Sequence, residues 1–157
     1  MICIKFNDVL KNPDKYVEDI YKENFVDIHD GKNTFKNIQP REKDEAYNFV
    51  KLIFPDYNVS YNFIRKSCMN QKEPNYIHTD EMMGDKTIIL YLNKNHPKKY
   101  GTTIYNQLNK KSIVNYGEYN SMFIFDSKLK HSRNLIKNFG KKKNCRLIQV
   151  LFLKKIL

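Results

Sequence analysis

Val59-Ser60-Tyr61-Asn62-Phe63-Ile64-Arg65-Lys66 is where the chain turns from helix-forming to strand-forming, its apolar and polar residues alternating and its apolar ones β-branched or aromatic. A period of two is the signature of a strand with one buried face. Segments of the same character recur between short polar turns at 86–92, 102–107, 111–116, 121–125 and 145–154. Short strands at such even spacing predict a sandwich or jelly roll.

Before residue 58 the pattern is different. Asn12-Pro13-Asp14 predicts a helix start, with Asn12 as cap and proline at the first helical position, and Tyr16, Val17, Ile20 and Tyr21 share a face through about residue 24. Residues 31–40 are polar and read as irregular. A second helix is predicted from 41 to about 54, with Ala46, Tyr47, Phe49, Val50 and Ile53 at three- and four-residue spacing and Pro55 stopping it. Residues 2–6 are apolar and short enough for an edge strand or a lead-in. With no repeat, linker or break in composition, 1–157 is read as one domain, a helical lead-in over 1–57 and a β core over 58–157. The fold class is α+β, mainly β, with the N-terminal helices packed outside a sheet.

A chain of 157 residues can bury roughly two thirds of the surface that its unfolded form exposes. Its apolar stretches near the end, such as 121–125 and 147–153, are too short to span a bilayer. The apolar start is broken by Lys5 and Asp8 and has no signal-peptide cleavage site, so a cytoplasmic location with no membrane association is expected. The net charge of +11 raises the question of nucleic acid. Of 28 basic residues, however, only Arg41, Arg65, Arg133 and Arg146 are arginine, the preferred reader of phosphate and bases. Abundant Lys, Asn, Ile and Tyr reflect AT-rich coding, and a nucleic-acid partner is not expected. Cys3, Cys68 and Cys145 form no CxxC pair and are odd in number, which reads as reduced, mostly buried thiols. Nothing in the sequence sets an oligomeric state.

The chemistry concentrates in a few residues. In His78-Thr79-Asp80 two side chains two apart point to the same side of an extended chain and can reach one ion. A surface turn capped by Asp80 would use the same tripeptide. His131 follows the apolar strand 121–125 and could supply a third ligand, and two imidazoles with one carboxylate suit Fe(II) while leaving positions open for a bidentate co-substrate and dioxygen. Arg146 opens the most apolar strand of the protein and shares a face with Ile148, Val150 and Phe152. If that face is interior, its guanidinium needs an anion, and its planar fork matches a carboxylate. An arginine paired with a surface acid at the strand edge is the competing explanation. Arg133, two residues from His131, could be the anchor instead, although as a residue near the mouth it is better placed to meet substrate. His29 and His96 lie in loop-like segments without a carboxylate at the required spacing. Lys141-Lys142-Lys143 reads as a solvated hairpin tip.

Over about 59–153 these residues resemble the Fe(II)/2-oxoglutarate-dependent dioxygenases of double-stranded β-helix fold. His78-Thr79-Asp80 resembles the family's His-x-Asp, His131 its distal histidine, and Arg146 the basic residue that grips the co-substrate. Ile88-Ile89-Leu90-Tyr91-Leu92-Asn93 is similar to the Tyr-Leu-Asn strand of the prolyl-hydroxylase-like branch, and Gly101-Thr102 to its Gly-Gly-Thr turn, with Tyr100 in place of the first glycine. The resemblance implies a hydroxylase using Fe(II), 2-oxoglutarate and dioxygen, with metal ligands His78, Asp80 and His131. It also implies that Arg146 and Tyr91 bind the far carboxylate of 2-oxoglutarate. The substrate would be an amino acid, a peptide side chain or a small metabolite, and loops 70–77 and 81–85, which would select it, carry no signature. A non-catalytic barrel binding a metal or a small acid through Arg146 is the alternative. A nucleic-acid-directed oxygenase fits less well, because that branch has a second arginine on the last strand where this chain has Phe152.

Overall fold

The structure, a computed structural model, describes residues 3–134 and 137–157. Ten strands and two helices follow one another as β1 (Cys3–Phe6), α1 (Pro13–Ile20), β2 (Val26–His29), β3 (Thr34–Pro40), α2 (Glu45–Ile53), β4 (Tyr57–Ser67), β5 (Lys86–Tyr91), β6 (Gly101–Tyr105), β7 (Lys111–Tyr116), β8 (Met122–Asp126), β9 (Lys130–Arg133) and β10 (Arg146–Lys155). Ile2 of the expected edge strand lies outside the described residues. All six strands expected from the alternating pattern are present.

Capping sets where the helices begin. Asn12 Oδ1 accepts from the Lys15 amide at 3.2 Å, ahead of Pro13. Asp44 Oδ1 accepts from the Tyr47 amide at 3.0 Å. Each such cap is worth about 1 kcal/mol. The second helix therefore starts at Glu45, not at residue 41, and Arg41 instead donates from Nε to Asp44 Oδ2 at 2.9 Å.

The strands form two antiparallel sheets, one of seven in the order β1-β8-β5-β10-β4-β3-β2 and one of three in the order β7-β6-β9. Alternation along β5, β8 and β10 gives the large sheet two apolar faces. Leu90, Ile124, Leu147 and Leu151 pack with Ile20 of α1 and with Ala46 and Val50 of α2. Ile89, Tyr91, Phe123, Ile148, Val150 and Phe152 pack on the opposite face with Tyr100 and with Ile104 of β6. Gln149 is fully buried on the helix side. It is satisfied there, donating to Asp44 Oδ2 at 3.0 Å and to Asn62 Oδ1 at 2.7 Å. This ties α2, β4 and β10 together.

Three observations differ from the sequence reading. Residues 26–40, expected to be irregular in part, form the β2–β3 hairpin, and β3 extends the large sheet beyond β4, so the sheet draws on residues before 58. A side chain pattern this polar hides a strand because nearly all of β2 and the first half of β3 face solvent. Lys141 precedes and Lys142 and Lys143 open a short 3₁₀ turn, Lys142–Asn144, rather than forming a simple hairpin tip.

The third concerns the cysteines. Cys68 and Cys145 form a disulfide, which corrects the expectation of reduced thiols for this pair. Ser67 faces Arg146 in the β4–β10 register, so the next residue on one strand meets the preceding one on the other, with Cα atoms 4.5 Å apart. That is the close spacing of an antiparallel pair. At a sequence separation of 77 only the strand pairing reveals it. Cys3 is free. No helix among the described residues is long and apolar enough to cross a membrane.

The non-reduced protein should contain one titratable thiol per chain under denaturing conditions. Reduction, or Cys68→Ser, should lower unfolding stability in urea by about 2–4 kcal/mol. Three free thiols in freshly purified, unreduced protein would contradict the pairing.

Candidate metal centre

His131 follows β8, as the sequence suggested, and lies on a short strand of its own, β9. This strand pairs with β6, bringing His131 opposite Ile104. Its other edge receives His78 in an isolated antiparallel bridge, the two residues exchanging hydrogen bonds of 3.0 and 2.9 Å. Residues paired in this way project to one face. The imidazole centroids are 4.3 Å apart. Asp80, two residues on from His78, is held by its amide donating to the Ser127 carbonyl at 2.8 Å, and the ladder thus brings the three candidate ligands together.

Their potential ligating atoms lie within 4.8 Å of one another. His131 Nε2 is 2.9 Å from Asp80 Oδ2, and His78 Nε2 is 3.5 Å from Asp80 Oδ1. Each histidine turns its other nitrogen to a carbonyl two residues earlier, His78 Nδ1 to Tyr76 O and His131 Nδ1 to Leu129 O, both at 2.9 Å. A carbonyl only accepts, so Nδ1 carries the proton. In the neutral ring Nε2 then presents a lone pair to the shared space. Two such nitrogens and a carboxylate converge as acceptors, and 2.9 Å between acceptors calls for a proton or a cation between them. The donor set fits a divalent cation.

Behind the ligands, Thr87 Oγ1 is 3.2 Å from Asp80 Oδ2 and 2.9 Å from Ser127 Oγ, which orients the carboxylate. Burial pushes the Asp80 carboxyl up. The neighbouring His131, with His78 and Thr87, more than offsets this and holds it below its ordinary value.

A cavity of about 180 Å³ runs from this triad to the inner face of β4 and β10. Its far wall carries Arg65, Arg133, Arg146 and Glu73, three guanidiniums against one carboxylate. Arg146 shares the inner face with Ile148, Val150 and Phe152, as its alternation predicts, and is half-buried. Its guanidinium makes no hydrogen bond or ion pair among the described residues, and the Tyr100 ring lies 5.9 Å away. Arg133 instead donates to Glu73 Oε2 at 3.0 Å and Asn138 Oδ1 at 2.6 Å. Tyr91 is buried behind the wall, its hydroxyl 2.6 Å from Thr102 Oγ1, and it is Thr102 that lines the cavity. Gly101 permits this turn, since its φ of +145° and the nearby Asn115 carbonyl leave no room for a Cβ. His29 and His96 are elsewhere, bonded to Thr34 and the Pro97 carbonyl.

The sequence reading missed Arg65, Glu73 and Thr87. Arg65 alternates with Phe63, and Thr87 with Ile89, so the reasoning applied to Arg146 would have put both on the inner face. Glu73 sits in an irregular loop that offers no such signal.

No protein-family model matches the chain, and no curated protein matches it. Solved structures do. The non-haem α-ketoglutarate-dependent epimerase SnoN of nogalamycin biosynthesis is 9% identical with a TM-score of 0.68, the match covering 98% of this chain and 77% of that one. The viral collagen prolyl hydroxylase of Paramecium Bursaria Chlorella virus-1 is 12% identical with a TM-score of 0.67, covering 100% and 91%. An oxidoreductase of the 2OG-Fe(II) oxygenase family from Burkholderia pseudomallei is 9% identical with a TM-score of 0.61, covering 97% and 84%. This chain has the fold of these proteins over nearly its whole length.

Replacing His78, Asp80 or His131 by alanine should abolish measurable Mn(II) or Co(II) binding in calorimetry, whereas Thr87→Val should weaken it by about 10–100-fold. Unchanged affinity in His131→Ala would show that the cation does not use this triad.

Proposed function

We propose that the chain is an Fe(II)- and 2-oxoglutarate-dependent dioxygenase of the double-stranded β-helix, or jelly-roll, type, acting as a hydroxylase on an amino acid, a peptide side chain or a small metabolite. One observation carries this reading. Three metal-ligating acceptors and a guanidinium with no direct ion pair among the described residues face each other across one small cavity. The motif resemblance and the shared fold support the same chemistry.

In this reading His78, Asp80 and His131 hold the iron. The metal and co-substrate together supply dioxygen activation coupled to oxidative decarboxylation of 2-oxoglutarate to succinate. Everything else is done by the chain. Arg146 takes the far carboxylate of 2-oxoglutarate, which neutralises a half-buried charge and fixes the orientation of the molecule. Tyr91 contributes from behind by holding the Thr102 hydroxyl at the cavity wall. Phe63, Ile89, Ile148, Val150 and Phe152 line the cavity between anchor and metal and exclude water from that wall. Tyr76, exposed and 5.2 Å from the His78 ring, stands at the open side, where a substrate would approach. The Nδ1 bonds of both histidines to carbonyls would keep Nε2 of each aimed at the ion that His78, Asp80 and His131 would hold.

Anaerobic protein loaded with Fe(II) should change its visible spectrum when 2-oxoglutarate is added and form succinate slowly once dioxygen is admitted. His78→Ala and Asp80→Ala should form none. Arg146→Gln should raise the KM for 2-oxoglutarate at least about 30-fold, as expected when a buried charge loses its partner. If wild type shows neither iron binding nor a spectral change, the barrel is a carboxylate-binding module and not an oxygenase.

A further inference from the structure

Glu73 places a fixed negative charge in a seat built to receive one. Its side chain is only 7% exposed, with Oε2 3.0 Å from Arg133 Nη1 and Oε1 3.3 Å from Arg65 Nε. Ser67 Oγ and Gln71 Nε2 donate to Oε1 at 2.7 and 2.5 Å. Arg133 Nη2 also donates to the Glu73 carbonyl at 3.2 Å, so both the backbone and the carboxylate are held. Asn138 completes the clamp, accepting from Arg133 and donating from Nδ2 to the Gln71 carbonyl at 2.8 Å. Burial pushes the Glu73 carboxyl up, but Arg65, the Ser67 hydroxyl, Arg146 and Arg133 together hold it below the ordinary range. It is therefore charged at neutral pH.

We infer that Glu73 is a specificity-determining residue. By occupying Arg65 and Arg133 it leaves Arg146 as the guanidinium that meets the co-substrate, and its own charge rejects an anion bringing a third carboxylate into the cavity. The inference rests on the assignment of this cavity to 2-oxoglutarate. Three uncompensated guanidiniums around one small cavity would attract anions indiscriminately. Discrimination among anions requires a repulsive element beside the attractive one. Glu73 supplies it, because like charges brought together in a partly buried site repel strongly.

A merely structural role for Glu73 makes a different prediction. Loosening the loop would weaken every anion in parallel, whereas a charge filter changes the ratio between anions of different charge. The test is calorimetric titration of 2-oxoglutarate and of tricarballylate, a propane tricarboxylate, into the full chain under saturating Mn(II). In Glu73→Gln the ratio of the two dissociation constants should move toward the tricarboxylate by at least about tenfold. Glu73→Asp, which keeps the charge, should stay within about threefold of wild type. Arg133→Gln provides an independent arm. It removes one of the two cations directly paired with Glu73 and should widen the discrimination. An unchanged ratio in Glu73→Gln, no tricarballylate binding to a Glu73→Gln protein that still binds 2-oxoglutarate, or a narrower gap in Arg133→Gln would each overturn the inference. If wild type binds Mn(II) but not 2-oxoglutarate, the assignment of the cavity has failed, and the inference falls with it for that separate reason.

Discussion

Seven consecutive residues of β10, Leu147 through Leu153, are buried, and a strand cannot bury two faces under one layer. This constraint organises the molecule. One face is covered by α1 and α2, the other by the small sheet. The two neighbours of β10, β4 and β5, inherit the same division through their register with it. Where the small sheet ceases to cover the inner face, the space left between the sheets is the cavity, with Arg146 at the end of the strand that lines it.

The candidate metal centre depends on the same geometry. His131 belongs to the edge of the small sheet, while Asp80 is anchored through Thr87 and Ser127 beside the large one. The backbone bridge between His78 and His131 joins these two parts with two hydrogen bonds, so the ligand spacing is set by a ladder and not by flexible side chains alone. A site built this way can hold three mutually repelling acceptors together before any cation arrives, which is the preorganisation that a metal site needs.

Charge is distributed along the cavity with a clear polarity. Acceptors crowd the metal end and guanidiniums the opposite wall, an arrangement complementary to a small dianion that chelates a cation at one end. The arginine wall is supported from outside by two loops. They are joined by the Cys68–Cys145 disulfide, the Met69–Gly140 backbone bond at 2.9 Å and the Asn138–Gln71 contact. The disulfide flanks Arg146 in sequence, so the covalent link and this guanidinium share one corner of the fold.

Local alternation was enough to place most of the β core and to put Arg146 on the inner face, because a period of two depends only on neighbouring residues. His78 and Asp80 were legible for the same reason, and Asn12-Pro13 marked its helix start through capping chemistry that is local as well. The β2–β3 hairpin was not legible, since strands facing water keep no apolar stripe. Nor was the Cys68–Cys145 bond, whose partners meet only through the pairing of β4 with β10. Which arginine is left without a direct ion pair among the described residues was decided by Glu73, reaching the cavity from an irregular loop. By itself the sequence determined the residue types and their faces. Only the tertiary structure decided which faces meet, because pairing register and loop closure act between residues that local periodicity does not connect.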